Sequence, residues 1–135
     1  MQFHDKLLRG EGSLCVWGLG YIGFSTIVYY AHKGVKCVGF DINESVVARI
    51  KEGKSPVEGL DYWLAINGMK TAVPATITSK MEELRPHADE ILCYKIAVPT
   101  EENGKVAGSY LKTTCKDIAR LIEGVQHKIL VDIES

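Results

Sequence analysis

Three glycines, Gly18, Gly20 and Gly23, stand where one apolar run gives way to another. The run before them, Ser13-Leu14-Cys15-Val16-Trp17, is short and stops at glycine, the pattern of a strand buried on both faces. The run after them, residues 21–33, is apolar all round and ends at Gly34, a helix stop signal. A G-x-G-x-x-G string between a strand and a helix has a mechanical meaning. The first glycine permits the tight turn, the second removes a Cβ that would block a diphosphate, and the third lets helix and strand pack closely. Two phosphates can then rest on free N–H groups at the positive end of the helix dipole.

The elements that follow extend this unit. Residues 35–40 read as a second strand closed by Asp41, eighteen residues after Gly23. A carboxylate there accepts hydrogen bonds from an adenosine ribose and repels a 2′-phosphate, which favours NAD over NADP. The competing role for Asp41 is a plain strand-end turn or helix cap. Asn43 can cap a helix in which Val46, Val47 and Ile50 recur at helical spacing before Gly53. Beyond it, Pro56, Gly59, Gly68 and Pro74 punctuate the chain, leaving a short helix at 60–66 and a short strand at 75–78. Ser79-Lys80-Met81-Glu82 fits a capping box that opens a helix ending before Pro86. Residues 90–98 read as a strand in which Lys95 is out of character, 99–108 as a polar loop, 109–122 as a helix capped by Ser109, and 128–133 as a last strand. Strands alternating with helices give an α/β fold: a doubly wound, mainly parallel Rossmann-type sheet with helices on both faces. Residues 1–12 form an N-terminal extension and 13–135 one dinucleotide-binding domain. A strand followed at once by the terminus favours a chain cut before further domains over a plain edge strand.

Composition narrows the function. With 16 Lys+Arg against 17 Asp+Glu the net charge is -1, so the basic excess expected of a nucleic-acid binder is missing. The N-terminus has no apolar signal core, and the stretch 21–31 is too short for a bilayer, so the expected location is cytoplasmic with no membrane partner. Cys15, Cys37, Cys93 and Cys115 contain no C-x-x-C, and three lie in strand-like runs, which suits buried free thiols. His4, His32, His87 and His127 never fall at metal-ligand spacing, so no metal is expected. Rival motifs fail. Phe24 stands where a P-loop needs lysine, Ala48 where the string ending Gly53-Lys54-Ser55 needs its first glycine, and Ile27 breaks a G-x-S-x-G. Glu82-Glu83 reads as a solvated helix face.

At this point the chain resembles the N-terminal domain of the UDP-glucose/GDP-mannose dehydrogenase family. The resemblance rests on residues 16–23 (V-W-G-L-G-Y-I-G), on Gly39-Phe40-Asp41-Ile42-Asn43 and on Gly53-Lys54-Ser55-Pro56. It also rests on Ile96-Ala97-Val98-Pro99-Thr100, like the family's V-P-T segment, and on Ile133-Glu134-Ser135, like the start of its E-S-T segment. The resemblance implies an NAD-dependent oxidation of the C6 alcohol of a nucleotide sugar to a carboxylate, as in polysaccharide biosynthesis. It implies cofactor contacts at Gly20, Tyr21, Ile22, Asp41, Val98, Pro99, Thr100 and Ser135, beside the phosphate role of Gly18 and Gly23. The loop after Val98 also leaves a strand end near the switch point, where nucleotides bind in such sheets. The family's catalytic cysteine and lysine lie in a later domain, so no catalytic residue is assigned here. Departures include Val46 in place of a basic residue, Glu101 in place of a proline, the shortened Glu58-Gly59-Leu60, and Gly108-Ser109 where an acid often precedes the helix.

Three readings remain open on the sequence. One is the cofactor half of a nucleotide-sugar dehydrogenase, inactive alone, with the nucleotide sugar as the parent enzyme's partner. Another is a non-enzymatic NAD or adenine-nucleotide module, on whose partner surface Tyr29, Tyr30 and Trp63 would lie. The third is the cofactor domain of another NAD- or FAD-linked oxidoreductase. The oligomeric state is open, a homo-oligomer included.

Overall fold

In the computed structural model, residues 3–68, 73–98, 101–102, 105–106 and 108–134 are described, with backbone alone at 101–102 and 105–106. Strand β1 (Ser13–Trp17) is buried at every position, as a central strand of a parallel sheet must be. It pairs in parallel with β2 (Lys36–Phe40) on one side and with β4 (Ile91–Ile96) on the other. β3 (Thr76–Thr78) adds in parallel to β2, and β7 (Leu130–Ile133) to β4. The order is β3-β2-β1-β4-β7. The switch point therefore falls between β1 and β4, where the chain leaves one half of the sheet for the other.

Helices cover both faces, as the doubly wound reading requires. On one face lie α2 (Tyr21–His32), α3 (Glu44–Lys51) and α4 (Leu60–Ile66). Phe24, Ile27 and Val28 of α2 pack there with Leu14, Val16 and Cys37 from the strands. α1 (Phe3–Leu8) joins the same face through buried Leu7, next to Leu92, so the segment before residue 12 contributes to the core. On the other face α5 (Gly108–Leu121) buries Ile118 and Leu121 against Cys15, Trp17, Phe40 and Tyr94. Val46, where the family has a basic residue, packs partly buried on the first core rather than standing free.

Apart from α1, for which no helix was expected, sequence periodicity placed these helices and strands to within a few residues, and Asn43 caps α3 by accepting the Ser45 N–H at 3.0 Å. Three expectations fail. Residues 79–82 open no capped helix. Thr78 Oγ1 accepts the Lys80 N–H at 3.0 Å, and the chain makes two single 3₁₀ turns, Met81–Glu83 and Arg85–His87. Pro86 sits inside the second turn, whose first N–H groups need no partner, so it starts a turn instead of ending a helix. Within 99–108, β5 (Glu101–Glu102) and β6 (Lys105–Val106) pair antiparallel, where a loop was expected. Helix α5 begins at Gly108, so Ser109 lies inside its first turn rather than capping it.

The cysteines separate cleanly by burial. Cys15, Cys37 and Cys93 are buried in strands, and Cys115 on α5 is exposed. Burial pushes the thiol pKa of Cys37 up to about 12 and that of Cys93 up to about 11, and Cys15 is also raised. A thiolate is the reactive form, so these three are chemically quiet. A thiol reagent at pH 8 should label one cysteine rapidly, Cys115, and all four only after denaturation. Rapid labelling of two or more in the native chain would contradict this packing.

Candidate functional site

The site is built where β1 ends. Gly18 adopts φ +96, in the left-handed region that glycine tolerates. A Cβ on it would lie 2.7 Å from the Ala97 carbonyl oxygen, so the end of β4 presses directly on the turn. A Cβ on Gly23 would lie 1.7 Å from the Gly18 carbonyl oxygen, closer than any side chain permits. Gly20, between them, meets nothing within 4 Å of an added Cβ and opens to solvent. Two of the three glycines are thus demanded by packing, and the third leaves open space in front of the turn.

That space faces the start of α2. Gly20 is its N-cap, and the first helical bond is donated by Phe24 N–H to the Gly20 carbonyl at 2.9 Å. The amides of Tyr21, Ile22 and Gly23 precede that bond, as the first amides of any helix do. They point toward the open side with the positive end of the dipole behind them. No acidic side chain stands in the first turn to compete for that potential. Tyr21 and Ile22 are exposed at 56% and 38%, whereas Leu19 is fully buried. The string thus sends one side chain inward as an anchor and two outward beside the turn.

Asp41 turns back toward the glycines. Its Oδ2 accepts the Leu19 N–H at 2.8 Å, and its Oδ1 accepts the Asn43 N–H at 2.8 Å. A carboxylate has about four acceptor positions, so each oxygen keeps capacity for a further donor. Asp41 is therefore more than a strand-end cap, because its carboxylate holds the turn between Gly18 and Gly20 across 22 residues of chain. The sequence placed Asp41 near the site but not this bond to Leu19. Its own N–H donates to the Thr78 carbonyl at 3.1 Å, which ties β3 to the same corner.

On the far side of β1, Val98 follows β4 and packs its side chain partly buried on the α5 face. It offers backbone and an apolar wall rather than a polar group. Pro99, Thr100 and Ser135 lie outside the described residues. The preceding residue, Glu134, reaches α2: Thr26 Oγ1 donates to Glu134 Oε2 at 3.1 Å. Lys95, anomalous as a strand residue, bonds Asp132 at 2.8 Å. Burial works against the Lys95 ammonium, but the hydrogen bond and charge of Asp132 outweigh it and hold its pKa above the ordinary value. No signal in the linear sequence pairs Lys95 with Asp132. Their parallel register does.

Among the described residues no group of three or more His, Cys, Asp and Glu could hold a metal, and no helix is long and apolar enough to cross a membrane. A depression lined by Ser13, Lys36, Thr76, His87 and Glu90 opens at the amino ends of the strands, opposite the glycine turn. It brings no element of the turn together.

Comparison with known proteins follows this geometry. Residues 12–135 match the model of the UDP-glucose/GDP-mannose dehydrogenase family, NAD binding domain. The chain is 38% identical over 96 residues to a UDP-N-acetyl-D-mannosamine dehydrogenase of Methanococcus maripaludis, covering 71% of this chain and 21% of that protein. It is 27% identical over 122 residues to a GDP-mannose 6-dehydrogenase of Pseudomonas syringae pv. syringae, covering 87% and 27%. A solved UDP-glucose dehydrogenase from the hyperthermophilic archaeon Pyrobaculum islandicum superposes with a TM-score of 0.69 at 26% identity, covering 94% of this chain and 30% of the other. The chain thus spans about a quarter of the length of such relatives.

The packing role of Gly23 and the open space at Gly20 separate experimentally. Gly23→Ala should unfold the chain or cost more than about 3 kcal/mol, because the added methyl meets backbone that cannot move aside. Gly20→Ala should melt within about 1 kcal/mol of the parent, since its methyl enters open space. Thermal denaturation of both checks this, and equal losses would refute the assigned geometry.

Proposed function

The chain belongs to the UDP-glucose/GDP-mannose dehydrogenase family, as its NAD-binding domain, and we propose that it is the cofactor half of a nucleotide-sugar 6-dehydrogenase. The observation that carries this reading is the glycine turn with Asp41 bonded back onto it at Leu19. In this assignment the diphosphate rests on the amides of Tyr21, Ile22 and Gly23, in the space that Gly20 leaves open. Gly18 shapes the turn. The Asp41 carboxylate accepts the adenosine ribose hydroxyls with its remaining capacity and rejects a 2′-phosphate by charge. Val98, Pro99, Thr100 and Ser135 border the half of NAD that crosses to the other side of β1.

NAD, when bound, would supply the hydride acceptor for such an oxidation. This chain's part is to hold and orient the acceptor. Three of the cysteines are buried with raised pKa values, and the exposed Cys115 lies on α5, on the face of the sheet opposite α2. In this reading catalysis belongs to other parts of the parent enzyme, and the nucleotide sugar is that enzyme's partner. A cytoplasmic setting suits three reduced, buried thiols and an NAD-linked reaction. A purely non-enzymatic module is the weaker reading, because both curated relatives named above are dehydrogenases.

Titration against tryptophan fluorescence tests the assignment, because Trp17 precedes Gly18 and stacks obliquely on Phe40, with ring centroids 4.3 Å apart. NAD should bind at least about tenfold more tightly than NADP, and Asp41→Asn should erase most of that preference. No oxidation of UDP-glucose or GDP-mannose should accompany binding. Preference for NADP, or turnover by the chain alone, would overturn the assignment.

A further inference from the structure

The sheet order divides the site in two. Asp41 closes β2, on one side of β1, while β4 and β7 lie on the other. If the adenosine ribose is held at Asp41 and the diphosphate at the start of α2, the remaining half of the dinucleotide must pass over the carboxyl ends of β4 and β7. Ala97 packs against the turn there, but among the described residues no carboxylate on that side is bonded to it as Asp41 is. What is present instead is a strut.

Glu134 follows β7 and donates its N–H to the Ile96 carbonyl at 2.8 Å, which sets it beside Ala97, the residue pressed against Gly18. Its side chain crosses to α2 and accepts the Thr26 hydroxyl at 3.1 Å, across 108 residues of sequence. Thr26 stands one helical turn beyond Ile22, so this bond holds α2 just behind its phosphate-facing amides. The other oxygen, Oε1, is buried without a protein hydrogen-bond partner. A carboxylate taken from water and given one hydroxyl donor contributes little to stability by itself. The neighbouring charges define its setting. Lys95 and Asp132 form their ion pair on the same face of β4 and β7, and the Tyr30 phenol of α2 feels both Lys95 and Glu134.

We propose that Glu134, acting through Thr26, is a positioning residue that sets the angle of α2 against the end of β7 and so places the nicotinamide half of NAD. The proposal rests on the NAD-binding reading above. It concerns geometry rather than contact, because one carboxylate oxygen is spent on Thr26 and the other is buried. Loss of the strut lets the body of α2 shift against the end of β7, while its first turn, which seats the diphosphate, stays pinned by the packing of Gly23 on Gly18. The half of the ligand lying over β2 is anchored independently by Asp41 and does not feel that change. ADP, which carries the adenosine half and the diphosphate but no nicotinamide, separates the two effects.

The test compares NAD and ADP binding by calorimetry in the 135-residue chain. Glu134→Ala and Thr26→Val should each weaken NAD about tenfold and ADP less than about twofold. Thr26→Ser and Glu134→Gln, which keep the hydroxyl donor and its acceptor, should restore NAD affinity to near the parent value. Equal losses for NAD and ADP would mean a general structural role, and no loss for either would mean that the strut is idle; both overturn the proposal. If Glu134→Ala does not fold, Thr26→Val against Thr26→Ser decides the matter. A parent chain that binds ADP but shows no added affinity for NAD would overturn this inference alone. A parent that binds neither would overturn the cofactor reading itself.

Discussion

The architecture depends on how closely the start of α2 approaches the end of β1. The Gly23 Cα hydrogens face the Gly18 carbonyl at a distance that excludes even a methyl group. That approach lets the chain reverse from strand to helix within three residues and still bury Leu19 and Phe24 beneath it. Neighbouring strands then converge on the same turn. Gly18 N–H donates to the Phe40 carbonyl at 2.8 Å, and Ala97 N–H donates to the Trp17 carbonyl at 2.8 Å. A larger side chain at position 23 would push the helix off the sheet and disturb β2 and β4 together. The open space at Gly20 is what remains once those demands are met.

Around that turn the two halves of the sheet are held in different ways. The β2 side is tied by main chain and one carboxylate: Asp41 bonds Leu19 and Asn43, and its amide reaches Thr78. The β4–β7 side is tied by side chains between strands and helix, Lys95 to Asp132 and Thr26 to Glu134. The difference follows from cover. Cys37 and Ile77 lie under α2, α3 and α4 in a dry core, whereas Asp132 is 45% exposed at the sheet edge. A charged pair is tolerable where one partner keeps contact with water, and it would be costly in the dry half.

Much of this was legible in the chain. The alternation of apolar runs with glycine stops located β1, α2 and β2, because burial on both faces and helix termination each leave a compositional mark. The spacing from Gly23 to Asp41 placed this carboxylate near the glycine turn, because one helix and one strand of standard length fit between them. Reading failed where short-range competition decides the outcome. At 79–87 the capping pattern was present, but the hydroxyl that accepts a backbone donor is that of Thr78, one residue before Ser79, and the chain closes only two single 3₁₀ turns, too short to sustain an α-helix. At 99–108 polar composition concealed a two-residue ladder, too short to show a period. Within the N-terminal extension of residues 1–12, composition gave no sign of α1, which places Leu7 in the core.

The sequence by itself therefore determined the parts and their order: a glycine turn, an acid one strand later, and a parallel sheet sandwiched by helices. Local rules suffice for these, since backbone sterics at glycine and the period of apolar residues act within a dozen positions. Only the tertiary structure decided which groups meet. Leu19 with Asp41, Lys95 with Asp132, and Thr26 with Glu134 are separated by 22, 37 and 108 residues, and nothing local pairs them. Parallel register and the packing of α2 across β1 bring them to hydrogen-bond distance, because a sheet with β1 at its centre gathers strand ends that the chain itself keeps far apart.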